Sequence, residues 1–143
     1  MNESNKVFIT GASGGIGEAI TDKFFKHNYK LILSSSSSEK LQLLKEKYGE
    51  NHSYFKLDIS DQKSIEKCTT EIVKVHKDLS VVINNAGITE DGLIVRMNYE
   101  NWKKVIQTNL DSSFLLLKSL LPIMISNRYG KIVGISSVVA STG

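Results

Sequence analysis

Short apolar runs alternate along this chain with longer segments in which apolar residues recur every three or four positions. The short runs predict five β-strands, at 7–9, 30–33, 54–57, 79–83 and 131–135. The longer segments between them predict helices. Strands that alternate with helices form a parallel sheet with helices on both faces, and right-handed crossovers give the strand order 3-2-1-4-5. The pattern therefore predicts an α/β fold built on a doubly wound parallel sheet.

The helical segments carry local signals of their own. The spacing gives the first helix an inner apolar face formed by Ile16, Ala19, Ile20 and Phe24. Ser36 and Glu39 have the spacing of a capping box at the start of the second helix. The third helix has an apolar face formed by Ile65, Cys68, Ile72 and Val75. Cys68 is therefore expected in the core rather than as a reactive thiol.

Glycine or polar residues follow every predicted strand. These groups are the turn 11–17, the serines 34–36, Asp58 with Ile59, the segment 84–87, and Ser136 with Ser137. The carboxyl ends of parallel strands share one edge of the sheet, and ligands of such folds bind there, at the switch point between the first and fourth strands. All five groups are therefore expected to converge on one pocket.

The turn 11–17 carries the strongest signal for a ligand. Its glycines, Gly11, Gly15 and Gly17, have the spacing Gly-x-x-x-Gly-x-Gly between the first strand and the first helix. N–H groups and the helix dipole at such a helix start attract a phosphate, and glycine lets the main chain approach it closely. Taken by itself, this stretch is also compatible with a glycine-rich connection that binds nothing.

The other strand ends offer groups for a dinucleotide. Asp58 could accept a hydrogen bond from an adenine amine or could cap the helix that follows. Serines end the second strand and Lys40 follows them, which suits a 2′-phosphate better than a free 2′-hydroxyl, so NADP(H) is favoured over NAD(H). Asn109 lies on an otherwise apolar helix face, either in a structural network or holding a water for proton transfer. Ser137 could donate to a substrate carbonyl.

Composition narrows the class of function. With 143 residues, 41% of them apolar and 23% charged, the chain is expected to form one domain. A net charge of +3 with scattered basic residues gives no indication of nucleic-acid binding. The longest apolar stretch, 114–125, is too short to span a bilayer, no signal peptide is evident, and no metal site is expected. We therefore expect a cytoplasmic protein.

Several motifs resemble, in order and spacing, the short-chain dehydrogenase/reductases. They are Thr-Gly-Ala-Ser-Gly-Gly-Ile-Gly at 10–17, Asn-Asn-Ala-Gly at 84–87, Asn109, and Ile-Ser-Ser at 135–137. The resemblance covers 1–143, as the N-terminal dinucleotide-binding part of a single Rossmann-type domain that lacks the family's last strands. Within the family, the segments 85–97 and 128–139 are similar to the 3-oxoacyl-acyl-carrier-protein reductases of fatty acid synthesis.

This resemblance implies an oxidoreductase that uses NADPH to reduce a 3-oxoacyl-acyl-carrier-protein to its 3-hydroxyacyl form. It implies acyl-carrier protein as a partner and a homo-tetramer or homo-dimer for the full-length enzyme. The residues it assigns to the pyrophosphate and the adenosine ribose are Gly11, Ala12, Ser13, Gly14, Gly15, Ile16 and Gly17. The residues it assigns to the rest of the cofactor are Ser36 at the 2′-phosphate, Asp58 and Ile59 at the adenine, and Asn85, Ala86 and Gly87 at the ribose and nicotinamide.

The resemblance also implies roles in catalysis and docking. Ser137 would orient the ketone oxygen, and Asn109 would hold a water in the proton relay. Arg128, expected near the site entrance, would dock the acidic carrier protein or would be a solvated cation near a helix end.

Two departures from the family pattern affect these expectations. Gly14 stands where many NADP-dependent members carry arginine, and the family's Tyr-x-x-x-Lys motif falls beyond Gly143. We expect negligible turnover from this chain by itself, a fifth strand at the sheet edge, and exposed apolar side chains at Leu116, Leu120 and Ile123. The alternatives are a non-catalytic truncated nucleotide-binding remnant and a related short-chain reductase acting on another ketone or alcohol.

Overall fold

The computed structural model describes residues 5–138 and residue 141, and its central layer is a parallel sheet. In the described part of the chain the strands are β1 Lys6–Ile9, β2 Lys30–Ser35, β3 Ser53–Lys56, β4 Val81–Asn84 and β5 Lys131–Gly134. They pair in parallel in the order β3-β2-β1-β4-β5. The predicted α/β fold and strand order are confirmed.

Helices connect consecutive strands and cover both faces of the sheet. They are α1 Gly15–Lys26, α2 Ser38–Tyr48, α3 Gln62–Val75, α4 Tyr99–Ile106 and α5 Ser112–Ser126. A 3-10 turn, Ile94–Arg96, precedes α4, and a π-helical turn, Gln107–Asp111, joins α4 to α5. A π-helical turn inserts one residue into the α-helical hydrogen-bond ladder, and such turns occur frequently at functional sites.

The central strands β1, β2 and β4 are apolar on both faces because helices cover both. One core cluster packs Phe8, Ile32 and Val82 of the sheet against α3 and α5. The other packs the alternating strand residues, Val7 and Ile9 among them, against α1 and α2. Near-continuous apolar runs are what a doubly covered parallel sheet requires, which is why the strands could be predicted from their composition.

The predicted exposure of α5 is wrong. Leu116 and Leu120 are 1% and 0% exposed and Ile123 is buried, because this face of α5 packs against α3. The exposed apolar side chains of this region are instead Phe114 and Ile125 on other faces of the helix. The prediction that β5 is an edge strand is confirmed, and its four residues are exposed.

Three local expectations for the helices also need correction. Ile16 is 63% exposed and Ala19 is exposed as well, since Gly17 and Thr21 take the inner positions of α1. The cap of α2 is Ser37, whose side chain accepts from the N–H of Lys40, and not Ser36. Val75, at the end of α3, is exposed. Cys68 is buried in the core as predicted, and burial raises the pKa of its thiol to about 12.

None of the described helices has the length and apolar character needed to cross a membrane.

The fold favours the neutral form of two histidines, because it lowers the pKa of each. His76 is 3% exposed, and its ring nitrogens have no hydrogen-bond partner among the described residues. Burial lowers its pKa, Lys6 and Lys30 lower it further, and Asp78 opposes them. The Nδ1 of His52 accepts from the N–H of Leu31 at 3.1 Å, and burial also lowers the pKa of His52.

These two histidines predict a loss of stability in mild acid. Below about pH 6.5 the unfolded chain takes up protons that the folded chain resists, so each histidine can lower the free energy of unfolding by up to about 1.4 kcal/mol per pH unit. Urea unfolding at pH 7.5 and pH 5.5 measures the change. His76→Met should reduce the pH dependence, whereas His27→Gln, at an exposed position, should leave it as in the wild type. An unchanged pH dependence in His76→Met would contradict the assignment.

Candidate functional site

The glycine turn packs tightly between β1 and α1. Gly11 has φ +62°, in the left-handed region that glycine favours, and its carbonyl accepts from the N–H of Gly14 at 3.1 Å. A Cβ on Gly17 would overlap the carbonyl oxygen of Gly11 and lie 2.8 Å from Nδ2 of Asn85. The positive end of α1 therefore opens at the turn, which is the arrangement that binds a phosphate.

Thr10 joins this turn to the end of β4. Its fully buried hydroxyl accepts from the N–H groups of Asn85 and Ala86 at 3.0 and 2.9 Å. The side-chain amide of Asn85 donates in return to the carbonyls of Thr10 and Gly11, at 3.1 and 3.2 Å. This role of Thr10 was not predicted, although a hydroxyl at the end of a buried strand is a signal for such a connection.

Serines join the turn to the end of β2. The hydroxyls of Ser13 and Ser35 share a 2.8 Å hydrogen bond, and the N–H of Ala12 donates to the carbonyl of Ser34 at 2.9 Å. Ser36 is exposed and lines the pocket. Its neighbour Ser37 caps α2, so the side chain of Ser36 is not used as the cap. Ala12 is fully buried beneath the turn and does not line the pocket.

Asp58 forms a local turn after β3. Its Oδ1 accepts from the N–H and the hydroxyl of Ser60, at 2.9 and 2.6 Å. The cap of α3 is Asp61, which accepts from the N–H of Lys63 at 3.0 Å, so the helix-cap alternative for Asp58 is wrong. Asp58 and Ile59 both line the pocket.

The strand ends converge on a cavity of about 580 Å³, within the size range of small-molecule sites. Its lining includes predicted residues from four strand ends: Gly11, Ser13, Gly14, Gly15, Ile16, Gly17, Ser36, Asp58, Ile59, Asn85, Ala86 and Gly87. Lys40 lines the cavity as well. Leu57, Ser60, Ile88, Lys104 and Thr108 also line the cavity and were not predicted from the sequence. Lys104 forms an ion pair with Glu90, at 2.8 Å, between α4 and the loop that follows β4.

Asn109 lies in the π-helical turn and holds the loop after β4. Its Oδ1 accepts from the N–H of Ile88 at 2.9 Å, and its Nδ2 donates to the carbonyl of Ile88 at 2.8 Å. This arrangement is the structural network considered from the sequence. Both ends of the amide are occupied, and Asn109 does not line the cavity. Its role in a proton relay stays a prediction.

Ser137 lies beyond β5, at the carboxyl edge of the sheet and outside the lining of the cavity. The N–H of Ile135 donates to the carbonyl of Asn84 at 2.9 Å, which keeps this segment beside the end of β4. Its role at a ketone oxygen also stays a prediction.

Arg128 was expected near the site entrance, but within a single chain it does not lie there. Arg128 lies between α5 and β5, at the amino ends of the strands and therefore at the edge of the sheet opposite the glycine turn. Its neighbour Asn127 donates to the carbonyl of Lys77, in the loop before β4, at 2.7 Å. A residue that directly precedes a parallel strand cannot reach the pocket at the strand's far end.

Among the described residues there is no group of three or more histidine, cysteine or acidic side chains that could hold a metal ion.

Comparison with known proteins identifies the family. The family model for short chain dehydrogenases matches residues 5–143. The chain therefore belongs to the short-chain dehydrogenase family, which consists of oxidoreductases. The resemblance inferred from the sequence motifs is confirmed.

Relatives of known activity cover the chain almost completely. It is 37% identical over 144 residues to the 3-oxoacyl-[acyl-carrier-protein] reductase FabG of Escherichia coli K12. This alignment covers 100% of this chain and 59% of that protein. It is 42% identical over 135 residues to FabG of Rickettsia conorii, covering 94% of this chain and 54% of that protein. The chain thus spans somewhat more than half the length of these relatives.

A solved structure supports the fold and carries a ligand. An ElxO variant with NADPH bound superimposes with a TM-score of 0.88 and 33% sequence identity, covering 96% of this chain and 57% of that chain.

The glycine turn generates a stability prediction. Gly17→Ala should lower the thermal unfolding midpoint by several degrees, because its Cβ has no room beside Gly11 and Asn85. Gly15→Ala is the matched control, since a Cβ at that position meets no atom within 4 Å. Differential scanning calorimetry of both variants tests this, and equal midpoints would contradict the described packing.

Proposed function

We propose that these residues form the cofactor-binding part of a reductase that binds NADP(H) and reduces the ketone of a 3-oxoacyl-acyl-carrier-protein. The observation that carries the proposal is the convergence of four strand ends on one cavity beside the start of α1. The similarity to FabG reductases supports the substrate class.

The lining of the cavity suits a dinucleotide along its length. N–H groups of the first turn of α1 would hold the pyrophosphate, and Ile59 would pack on the adenine. Asn85 and Gly87 would border the ribose and nicotinamide, held in place by Thr10 and Asn109. The neighbour that binds NADPH supports a nicotinamide cofactor for this fold.

The end of β2 favours the phosphorylated cofactor. Ser36 and Lys40 line the cavity there, so a 2′-phosphate would meet a hydroxyl and a cation. Asp58 is the one carboxylate of the described lining, and Ser60 occupies its Oδ1. A free 2′-hydroxyl would thus lack the acidic partner that NAD-binding sites supply.

The cofactor supplies the hydride when bound, and the protein binds and orients the reactants. The hydroxyl of Ser137 would donate to the ketone oxygen and so polarise the carbonyl. A proton must also reach that oxygen to give the 3-hydroxyacyl product, and the resemblance assigns this step to a tyrosine outside these residues.

A homo-oligomer fits the apolar surface of the second half of the chain. Tyr99 and Trp102 stack on the outside of α4, with ring centroids 5.9 Å apart. Leu110 and Phe114 are more than half exposed on the adjoining turns. Apolar side chains grouped in this way typically mark an interface, and we propose that a second copy of the protein covers them.

Cofactor choice is testable at Lys40. Lys40→Ala should weaken NADPH binding about ten-fold through loss of an ion pair with the 2′-phosphate, and leave NADH binding unchanged. Fluorescence titration with both cofactors measures this. Lys45→Ala, on the same helix and outside the cavity lining, is the control. Equal weakening of both cofactors would contradict a 2′-phosphate contact.

The catalytic role of Ser137 predicts a loss of turnover without a loss of binding. In the complete protein, Ser137→Ala should lower kcat for an acetoacetyl thioester about 10²-fold while NADPH affinity is retained. Ser126→Ala, at the far end of α5, is the control.

Residues 1–143 alone should bind NADPH and turn over negligibly, because the family's proton donor is outside them.

Two results would favour the alternatives. Saturable NADPH binding by a complete protein that reduces no thioester would indicate a non-catalytic nucleotide-binding remnant. Reduction of other ketones in a substrate panel, without activity on 3-oxoacyl thioesters, would indicate a related reductase.

A further inference from the structure

Ser113 connects the start of α5 to the end of β4. It lies in the first turn of α5, and its hydroxyl accepts from Nδ2 of Asn84 at 2.6 Å. The same hydroxyl donates to the backbone carbonyl of Asn109, also at 2.6 Å. A serine hydroxyl has one proton to donate and lone pairs to accept, so both bonds can form together.

Ser113 directly follows the irregular turn between α4 and α5. The N–H of Ser112 donates to the carbonyl of Gln107, five residues earlier, so the usual four-residue ladder is interrupted. Ser112 and Ser113 donate their hydroxyls to the carbonyls of Thr108 and Asn109. These two consecutive serines thus add side-chain hydrogen bonds to the carbonyls of the irregular turn.

Ser113 differs from Ser112 in reaching the sheet. Its partner Asn84 is the last residue of β4 and directly precedes the loop that lines the cavity. The hydroxyl therefore joins the end of a central strand to the backbone of Asn109. The side chain of Asn109 holds both backbone polar groups of Ile88, a residue of the cavity wall.

We propose that Ser113 is a positioning residue for the dinucleotide site, acting through Asn84 and Asn109 on the loop 85–88. The proposal rests on the proposed function, since that loop is the part of the cavity assigned to the ribose and nicotinamide. Removing the hydroxyl takes away the acceptor of the Asn84 amide and the donor to the Asn109 carbonyl at once. Asn109, which holds the loop through Ile88, is then no longer connected to the end of β4 through Ser113.

The test compares three serine variants in the intact protein. Ser113→Ala should weaken NADPH binding about ten-fold, the effect of losing one to two hydrogen bonds that position a site. Ser113→Thr keeps the hydroxyl and should restore most of the affinity. Ser119→Ala is the matched control, because Ser119 lies on the same helix and makes the same bond to the carbonyl four residues earlier, at 3.1 Å to Leu115.

Hydrogen exchange separates this proposal from the proposed function. The N–H of Ile88 should exchange faster in Ser113→Ala than in Ser119→Ala without any cofactor present, because Asn109 holds that N–H. Faster exchange in a protein that binds neither NADPH nor NADH would contradict the proposed function. It would still support the positioning of the loop 85–88 by Ser113. Equal NADPH affinity and equal Ile88 exchange in the two alanine variants would overturn the role of Ser113. A Ser113→Thr variant that restores neither the NADPH affinity nor the slow exchange of the Ile88 N–H would overturn it as well.

Discussion

The contact of α1 with the glycine turn is the constraint on which the rest of the site depends. Gly17 has no Cβ, so the first turn of the helix can lie directly on the carbonyl of Gly11 and beside the amide of Asn85. This approach aims the start of the helix at the cavity. It also turns Ile16 outward to the cavity wall, because the small residue and not the large one occupies the inner position.

Side-chain hydrogen bonds at the ends of the strands hold the loops around that contact. Where parallel strands end, their backbone groups lose their ladder partners, and a buried group left unpaired costs about 1–3 kcal/mol. Thr10 supplies the acceptor for two such N–H groups after β4, and Asn109 pairs both polar groups of Ile88. The cavity wall is therefore fixed by short polar side chains on rigid elements, which is how an orienting site keeps its shape before a ligand binds.

Exposed apolar side chains are grouped around β5, α4 and α5. Toward β5 the apolar residues Ile132 and Val133 remain exposed, and α4 and α5 carry the exposed aromatic residues. Patches of this kind are where further protein is expected to pack.

Most of the fold could be predicted because its signals are local and repeated. Doubly buried strands give apolar runs, and alternation with helices leaves one common topology. The candidate site could be predicted because parallel strands bring their carboxyl ends together, so Gly11, Ser36, Asp58 and Asn85 needed no knowledge of packing to be grouped. The predicted position of Arg128 was wrong for the same geometric reason, since Arg128 precedes its strand rather than following it.

The sequence by itself determined the order of the strands, the glycine turn and four of the five strand ends expected at the cavity, because these depend on periodicity and on chain direction. The fifth group, Ser136 and Ser137, does not line the cavity. Only the tertiary structure decided which faces α1 and α5 bury and which polar side chains pair. Leu116 is buried because α3 lies across it. Ile16 is exposed because Gly17 packs on the turn and beside Asn85. Ser113, which follows the π-helical turn, reaches Asn84 at the end of β4. Each of these depends on elements distant in the sequence, and a local pattern carries no information about the distance between them.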